Sequence, residues 1–256
     1  MSAVLSKVEG AIGTITLNRP EAMNTFNEEL AAGLNESLRA MESDENVRVV
    51  IVEGAGKNFS TGIDLKEYLS KERHEIREFL SKMNVHNHTL ASMTKPVIAK
   101  VRGYALANGT GLSLACDYVV ASDDAVFGTT AINVGLICLE PGYQLARWIG
   151  EKRALQYVLT GDLIPAARGM ELGFVWDAVP GEKLEEAVRG LADRLASKSR
   201  LAVKTGKRGF EAMSGLPLQR AVEIGGEFFA ALAGSEDGRE GVEAFLGKRP
   251  PAYRGR

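Results

Sequence analysis

The chain has 256 residues, 45% hydrophobic and 25% charged, enough to bury a sizeable core as one large domain or a domain with an extension. Lysine plus arginine (31) nearly balance aspartate plus glutamate (33), and a formal net charge of -2 gives no electrostatic reason to expect nucleic acid as a partner. No apolar stretch reaches the roughly 20 residues that cross a bilayer, and the N-terminus lacks a signal-like apolar segment and cleavage site, so a cytoplasmic protein is expected.

In chain order, two short strands are predicted at Val4–Lys7 and Ile12–Leu17, hinged at Gly10 to Gly13. Asn18-Arg19-Pro20 ends the second. A helix over about Asn27–Met41 follows, with Leu30, Leu34, Leu38 and Met41 at helical spacing and Asn27 as its N-cap. The apolar run Val47–Val52 reads as a buried strand, followed by a loop punctuated by Gly54, Gly56 and Gly62. An amphipathic helix is predicted over His74–Met93 and a strand over Val97–Val101. A second glycine-containing loop, 103–111, leads to a short apolar helix (Leu112–Cys116) and strands at Tyr118–Ala121 and Ala125–Phe127. From about Glu182 the pattern is helical only: Lys183–Ala196, Leu201–Met213 and Glu223–Leu246. The strand–loop–helix rhythm predicts an α/β core to about residue 190 with successive turns stacked, although self-similarity is too weak for a true repeat.

Cys116 and Cys138 lack metal-ligand spacing and are too few for a disulfide framework, so two reduced, buried thiols are expected. The two glycine-containing loops are the chemical candidates. Each joins a strand to a helix, where glycine permits close approach of a ligand to the backbone and a helix start leaves N–H groups without intrahelical partners. Two such groups converging on one point make an oxyanion hole; losing one donor of this kind costs about 3–4 kcal/mol of transition-state stabilisation. Either loop alone would be an ordinary turn.

Longer blocks are more specific. LNRPEAMNTFNEEL at 17–30, GKNFSTGIDLKE at 56–67 and KPVIAKVRGYALANGTGLSLACDYVVAS at 95–122 resemble those of the crotonase (enoyl-CoA hydratase/isomerase) superfamily, in order and spacing. VGL at 134–136, LARWIG at 145–150 and EGVEAFLGKRPPAY at 240–253 extend the resemblance over nearly the whole chain. It implies an α/β, crotonase-like spiral of stacked β-β-α turns over 1–190 and a helical C-terminal trimerisation region over 191–256. It also implies a homotrimer or homohexamer acting on an acyl-CoA thioester, with no cofactor beyond the substrate's own coenzyme A moiety. No metal, nucleic-acid or membrane partner is expected. By position, the oxyanion donors fall on the backbone N–H groups of Ile63 and Asn108, the latter where the family usually has glycine. The coenzyme A contacts fall on Ala22, Met23, Ser60, Gly62 and Asp64, with Lys66 and Lys248 as phosphate contacts. Asp64 reads equally well as the N-cap of the following helix, and the two lysines also read as solvated.

The chain departs from the family at its acid/base pair. A hydratase of this kind uses two carboxylates, whose places are taken here by Gly111 and Ala131. Glu140, in the loop before the next helix and flanked by Ile137, Cys138, Leu139 and Pro141, is the expected replacement, its pKa raised by desolvation. An acidic residue at a helix N-terminus is the plain alternative. His86 and His88, at i and i+2, cannot share one helix face; Tyr143 and Glu67 are weaker candidates. The expected function is an acyl-CoA-processing enzyme stabilising a thioester enolate; the alternative is a non-catalytic acyl-CoA-binding member of the family.

Overall fold

The computed structural model describes residues 2–256, which divide into two compact units with the boundary after Ala192. In the first unit β1 (Val4–Glu9) and β2 (Ile12–Leu17) form the expected antiparallel hairpin, turning at Gly10 with φ of 61°. Helix α1 (Glu28–Ser43) begins where Asn27 accepts a hydrogen bond from Leu30 N at 2.9 Å, and it buries Leu30, Leu34, Leu38 and Met41. A Cβ on Gly13 would collide with the Met41 sulfur, so the bare backbone at that position lets α1 lie down on the sheet.

Strand β3 (Val49–Gly54), the short helix α2 (Leu65–Leu69), α3 (Ile76–Ser92) and β4 (Val97–Val101) come next. They are followed by β5 (Tyr104–Leu106), α4 (Asn108–Ala115), β6 (Tyr118–Ser122) and β7 (Val126–Gly128). The unit then adds α5 (Leu139–Ile149), α6 (Glu151–Thr160), β8 (Leu163–Pro165), α7 (Ala166–Leu172) and β9 (Asp177–Val179). Helix α8 (Leu184–Ala196) runs across the boundary. The main sheet has the order β1-β2-β3-β4-β6-β9, parallel from β2 onward, and β5-β7-β8 form a smaller second sheet. The continuous apolar runs in β3 and β4 are what a parallel sheet covered by helices requires. Phe26, Phe59, Phe79 and Phe127 are among the large side chains sealed in this core.

The second unit contains α9 (Arg200–Met213), α10 (Leu218–Ala233) and α11 (Glu236–Leu246). The single helix predicted over Glu223–Leu246 is thus two. Gly234 ends α10, and Ser235 caps α11 by accepting from Gly238 N at 3.0 Å. In the first unit, α4 starts four residues before the predicted Leu112. Gly109 reads as a loop residue by propensity, but it belongs to the helix because its backbone packs directly on Ser60, where a Cβ would overlap the Ser60 carbonyl. Among the described residues, no helix is long and apolar enough to cross a membrane.

Candidate active site

The first loop is wired before any ligand arrives. Asn24, fully buried, donates to the carbonyls of Ala55 (2.9 Å) and Asn58 (2.8 Å) and accepts from Arg19 N. Ser60 is also sealed from solvent, and its hydroxyl donates to Asn24 O at 2.7 Å. The Ser60 side chain thus builds the loop. Thr61 N donates to Met23 O at 3.2 Å, which brings the half-buried Ala22 and exposed Met23 beside Gly62.

The two glycine-containing loops meet. Ser60 and Ala105 form an isolated bridge through Ser60 N to Tyr104 O and Leu106 N to Ser60 O. Gly62 has φ of 100°, and a Cβ there would lie 2.8 Å from the Ala107 Cβ and 3.7 Å from Asn108 N. Only glycine gives both that conformation and that approach. Ile63 pairs with Phe26 through its neighbours, Gly62 O and Asp64 N, so its own N–H turns away from Phe26. Among the described residues, neither Ile63 N–H nor Asn108 N–H has an intramolecular partner.

The strained backbone of the second loop lies at Ala107, the residue before Asn108. Asn108 is the first helical residue of α4, while Ala107 has φ of 48° and ψ of -116°, a region that favours glycine. Ala107 thereby aims the Asn108 peptide. The Asn108 side chain is engaged elsewhere, donating to Asn84 Oδ1 on α3 at 3.0 Å.

Glu140 lies in the first turn of α5, after Cys138 at the N-cap, and not in the preceding loop as expected. A Cβ placed on Gly111 would sit 3.4 Å from Glu140 Oε2 and 3.3 Å from Pro141 Cγ. The carboxylate from α5 thus fills the space that a side chain at 111 would enter. Burial pushes the Glu140 carboxyl above its ordinary range, against the opposing pull of a hydrogen bond from Gln144 and the charge of His88. Gln144 Nε2 bridges Glu140 Oε1 and Asn87 Oδ1, the latter at 3.1 Å. Ala131 stands half-buried in the turn Thr130–Val134.

The other candidates separate. His86 points into the core, its ring 5.2 Å from that of Phe26, and desolvation lowers its pKa to about 4. His88, two residues on, is exposed. Asp64 is the N-cap of α2, accepting from Lys66 N (3.0 Å) and Glu67 N (3.2 Å) and pairing with Arg19 at 2.9 Å. Burial pushes its carboxyl up, but Arg19 and the two N–H groups win and hold it below its usual range. Glu67 accepts from Glu28 N at 3.1 Å and Tyr143 is exposed. Lys66 is exposed on α2; Lys248, exposed with φ of 50°, belongs to the second unit. Both cysteines are free and buried, and no metal-holding cluster occurs among the described residues. Sequence reasoning missed Asn84, Asn87 and Gln144. The signal was present: 84, 87 and 88 form one polar stripe on a helix that otherwise buries Phe79, Met83 and Leu90.

Residues 7–256 match the sequence model of the family described as Enoyl-CoA hydratase/isomerase. The chain is 34% identical over 255 residues to (E)-benzylidenesuccinyl-CoA hydratase of Thauera aromatica, covering 98% of this chain and 99% of that one. It is 33% identical over 261 residues to 1,2-epoxyphenylacetyl-CoA isomerase of Escherichia coli, covering all of both. A solved enoyl-CoA hydratase from Mycobacterium smegmatis superposes with a TM-score of 0.94 at 34% identity over 98% of each chain. One from Bacillus anthracis gives 0.94 at 32% identity, over 99% of this chain and 100% of that one. The crotonase-like α/β fold with a helical C-terminal region is therefore observed as expected.

Proposed function

Because the chain belongs to the enoyl-CoA hydratase/isomerase family, we propose that it is an acyl-CoA enzyme in which Glu140 moves a proton at the carbon next to the thioester. Ile63 N–H and Asn108 N–H receive the negative charge that develops on the thioester oxygen. The observation that carries the reading is the Glu140 carboxylate standing in the side-chain space of Gly111, where the family's first carboxylate would project. A raised pKa suits the role, since a base must also hold the proton it takes.

Ala131 supplies no second carboxylate. One group that removes a proton from one carbon and returns it to another suffices for double-bond isomerisation, whereas hydration by the family's two-carboxylate route lacks its partner. Isomerisation of an enoyl-CoA is thus the reaction this site best suits. The coenzyme A moiety rests along Ala22, Met23 and Gly62, a placement supported by the Thr61–Met23 hydrogen bond; Lys66 is its phosphate contact. The functional form is a trimer of this chain, supported by the exposed apolar side chains of the second unit, Phe210, Leu218, Phe229 and Phe245.

Two assays test the chemistry. Incubating a saturated acyl-CoA in D2O should label its α-carbon, and turnover on a panel of β,γ-enoyl-CoA esters should fall about 10²–10⁴-fold in Glu140→Gln. Unchanged turnover in that variant removes Glu140 from the mechanism. Tight calorimetric binding of the esters with neither labelling nor turnover would instead support a non-catalytic acyl-CoA binder.

A further inference from the structure

Asn108 N–H, the second of the two donors proposed above, has no bond of its own to hold it among the described residues. The peptide that carries it is fixed from its other end. There Ala107 O accepts from Gly111 N at 3.0 Å, and Ala107 N donates to Gly128 O at 2.8 Å. That peptide is also strained. Ala107 has φ of 48° and ψ of -116°, and turning over the peptide between 107 and 108 would carry its ψ into the ordinary left-handed region with φ unchanged. The same turn would swing Asn108 N–H to the opposite side and present a carbonyl oxygen to the thioester. A site that uses this donor has to block the turn.

Residue 108 carries the block. A turned peptide would force a positive φ on this first residue of α4, which its Cβ opposes, unless the Cα rotated along with the peptide. That second route moves the side chain, and the side chain is anchored. Asn108 Nδ2 donates to Asn84 Oδ1 on α3 at 3.0 Å, and Asn108 is only 8% exposed, so water has little access to replace the bond. The next residue removes the remaining freedom. A Cβ on Gly109 would lie 2.1 Å from the Ser60 carbonyl oxygen, so the first turn of α4 rests directly on the first loop and has no room to shift.

We propose that Asn84 is a positioning residue for the oxyanion hole. By holding the Asn108 side chain, it keeps Asn108 N–H on the thioester oxygen against the turn that would relieve Ala107. This rests on Asn108 N–H being a donor to that oxygen. Asn84 acts through Asn108 and not on the substrate. Without it the N–H leaves the oxygen for part of the time, and a bound thioester carbonyl is on average less polarised.

Infrared difference spectroscopy of butyryl-CoA bound to the full chain, with and without 13C at the thioester carbon, tests the proposal. In the native protein the carbonyl band should lie at lower wavenumber than that of the ester in water, because two donors polarise it. In Asn84→Ala it should move part of the way back. An unmoved band in folded Asn84→Ala overturns the proposal, since a merely structural contact would lower the melting temperature and leave the band in place. Asn108→Ala breaks the same bond from its other end and should move the band in the same direction. If thermal melting shows that Asn84→Ala does not fold, Asn108→Ala decides on the same terms. Adding Asn84→Ala to Asn108→Ala should shift the band no further, because the bond is already gone. A further shift would mean that Asn84 acts by another route, and overturns the proposal. A native band at the position of the ester in water, or no calorimetric binding of butyryl-CoA, removes the oxyanion hole itself and this inference with it. An unmoved band in Asn84→Ala leaves the hole standing and removes only Asn84, so the two failures are distinguishable.

Discussion

Single residues here carry opposite kinds of constraint. Gly62 is needed for its missing side chain: Gly62→Ala places an L residue at φ of 100° and drives its Cβ against Ala107. The expected cost is about 1–3 kcal/mol of stability, with turnover lost more steeply because Ile63 N–H is displaced from Asn108. Thermal melting and acyl-CoA turnover on one preparation check both. His86 is constrained by its surroundings. Its folded pKa of about 4 lies below the ordinary 6.5, chiefly through desolvation. Between those values the unfolded chain binds a proton that the folded protein refuses, so stability is full above about pH 6.5 and falls as pH drops toward 4. The loss approaches roughly 3 kcal/mol at the bottom of the window. His86→Leu should flatten that limb in melts taken between pH 7 and 4. A limb of unchanged steepness would assign the acid lability to other groups.

Elements with a strong period were legible and those with weak local signals were not. The hairpin, α1, β4 and α9 follow from apolar spacing and caps to within a residue or two. Helices α6 and α7 escaped, and α5 was expected only after Pro141, because glycine, proline and short apolar runs interrupt residues 135–173 and tertiary packing decides there. The late start given to α5 also put Glu140 in a loop. The site was legible where it is backbone, through Gly62 and the 103–111 loop, but not where side chains from α3 and α5 cross. No spacing rule joins Asn87 to Gln144. In the second unit, the buried Asp237 on α11 shows the same limit. It accepts from Ser199 Oγ (2.5 Å), Arg254 N (2.7 Å) and Gly255 N (3.0 Å), tying the irregular tail to the helices. Asp237→Asn removes the charge behind these bonds and should cost roughly 3 kcal/mol. Limited proteolysis should then cut the last residues faster; an unchanged cleavage rate would mean the tail is held by other contacts.

At the scale of the molecule, the first unit encloses a large apolar core but still exposes Leu69, Leu139 and Trp176, and the three helices of the second leave Val222, Phe229 and Leu246 exposed. A lone chain presenting them would be prone to association, and association with copies of itself is the ordered outcome. Light scattering at micromolar concentration should report a trimer or a pair of trimers, and Phe229→Arg should shift it toward smaller species. A native monomer would contradict the proposed assembly.

The order of the main sheet also governs how the chain emerges during synthesis. Strand β6 is paired on one side with β4 as soon as Ser122 is made, but its other partner, β9, begins only at Asp177. Until then β6 offers a row of unpaired backbone groups to any neighbouring strand, and three helices, α5 to α7, must be laid down before the gap closes. Such late, distant pairing is slow by topology alone. The nascent chain is therefore most vulnerable to misassembly over that interval, and a ribosome stall within it would leave a half-built sheet for chaperones to shield.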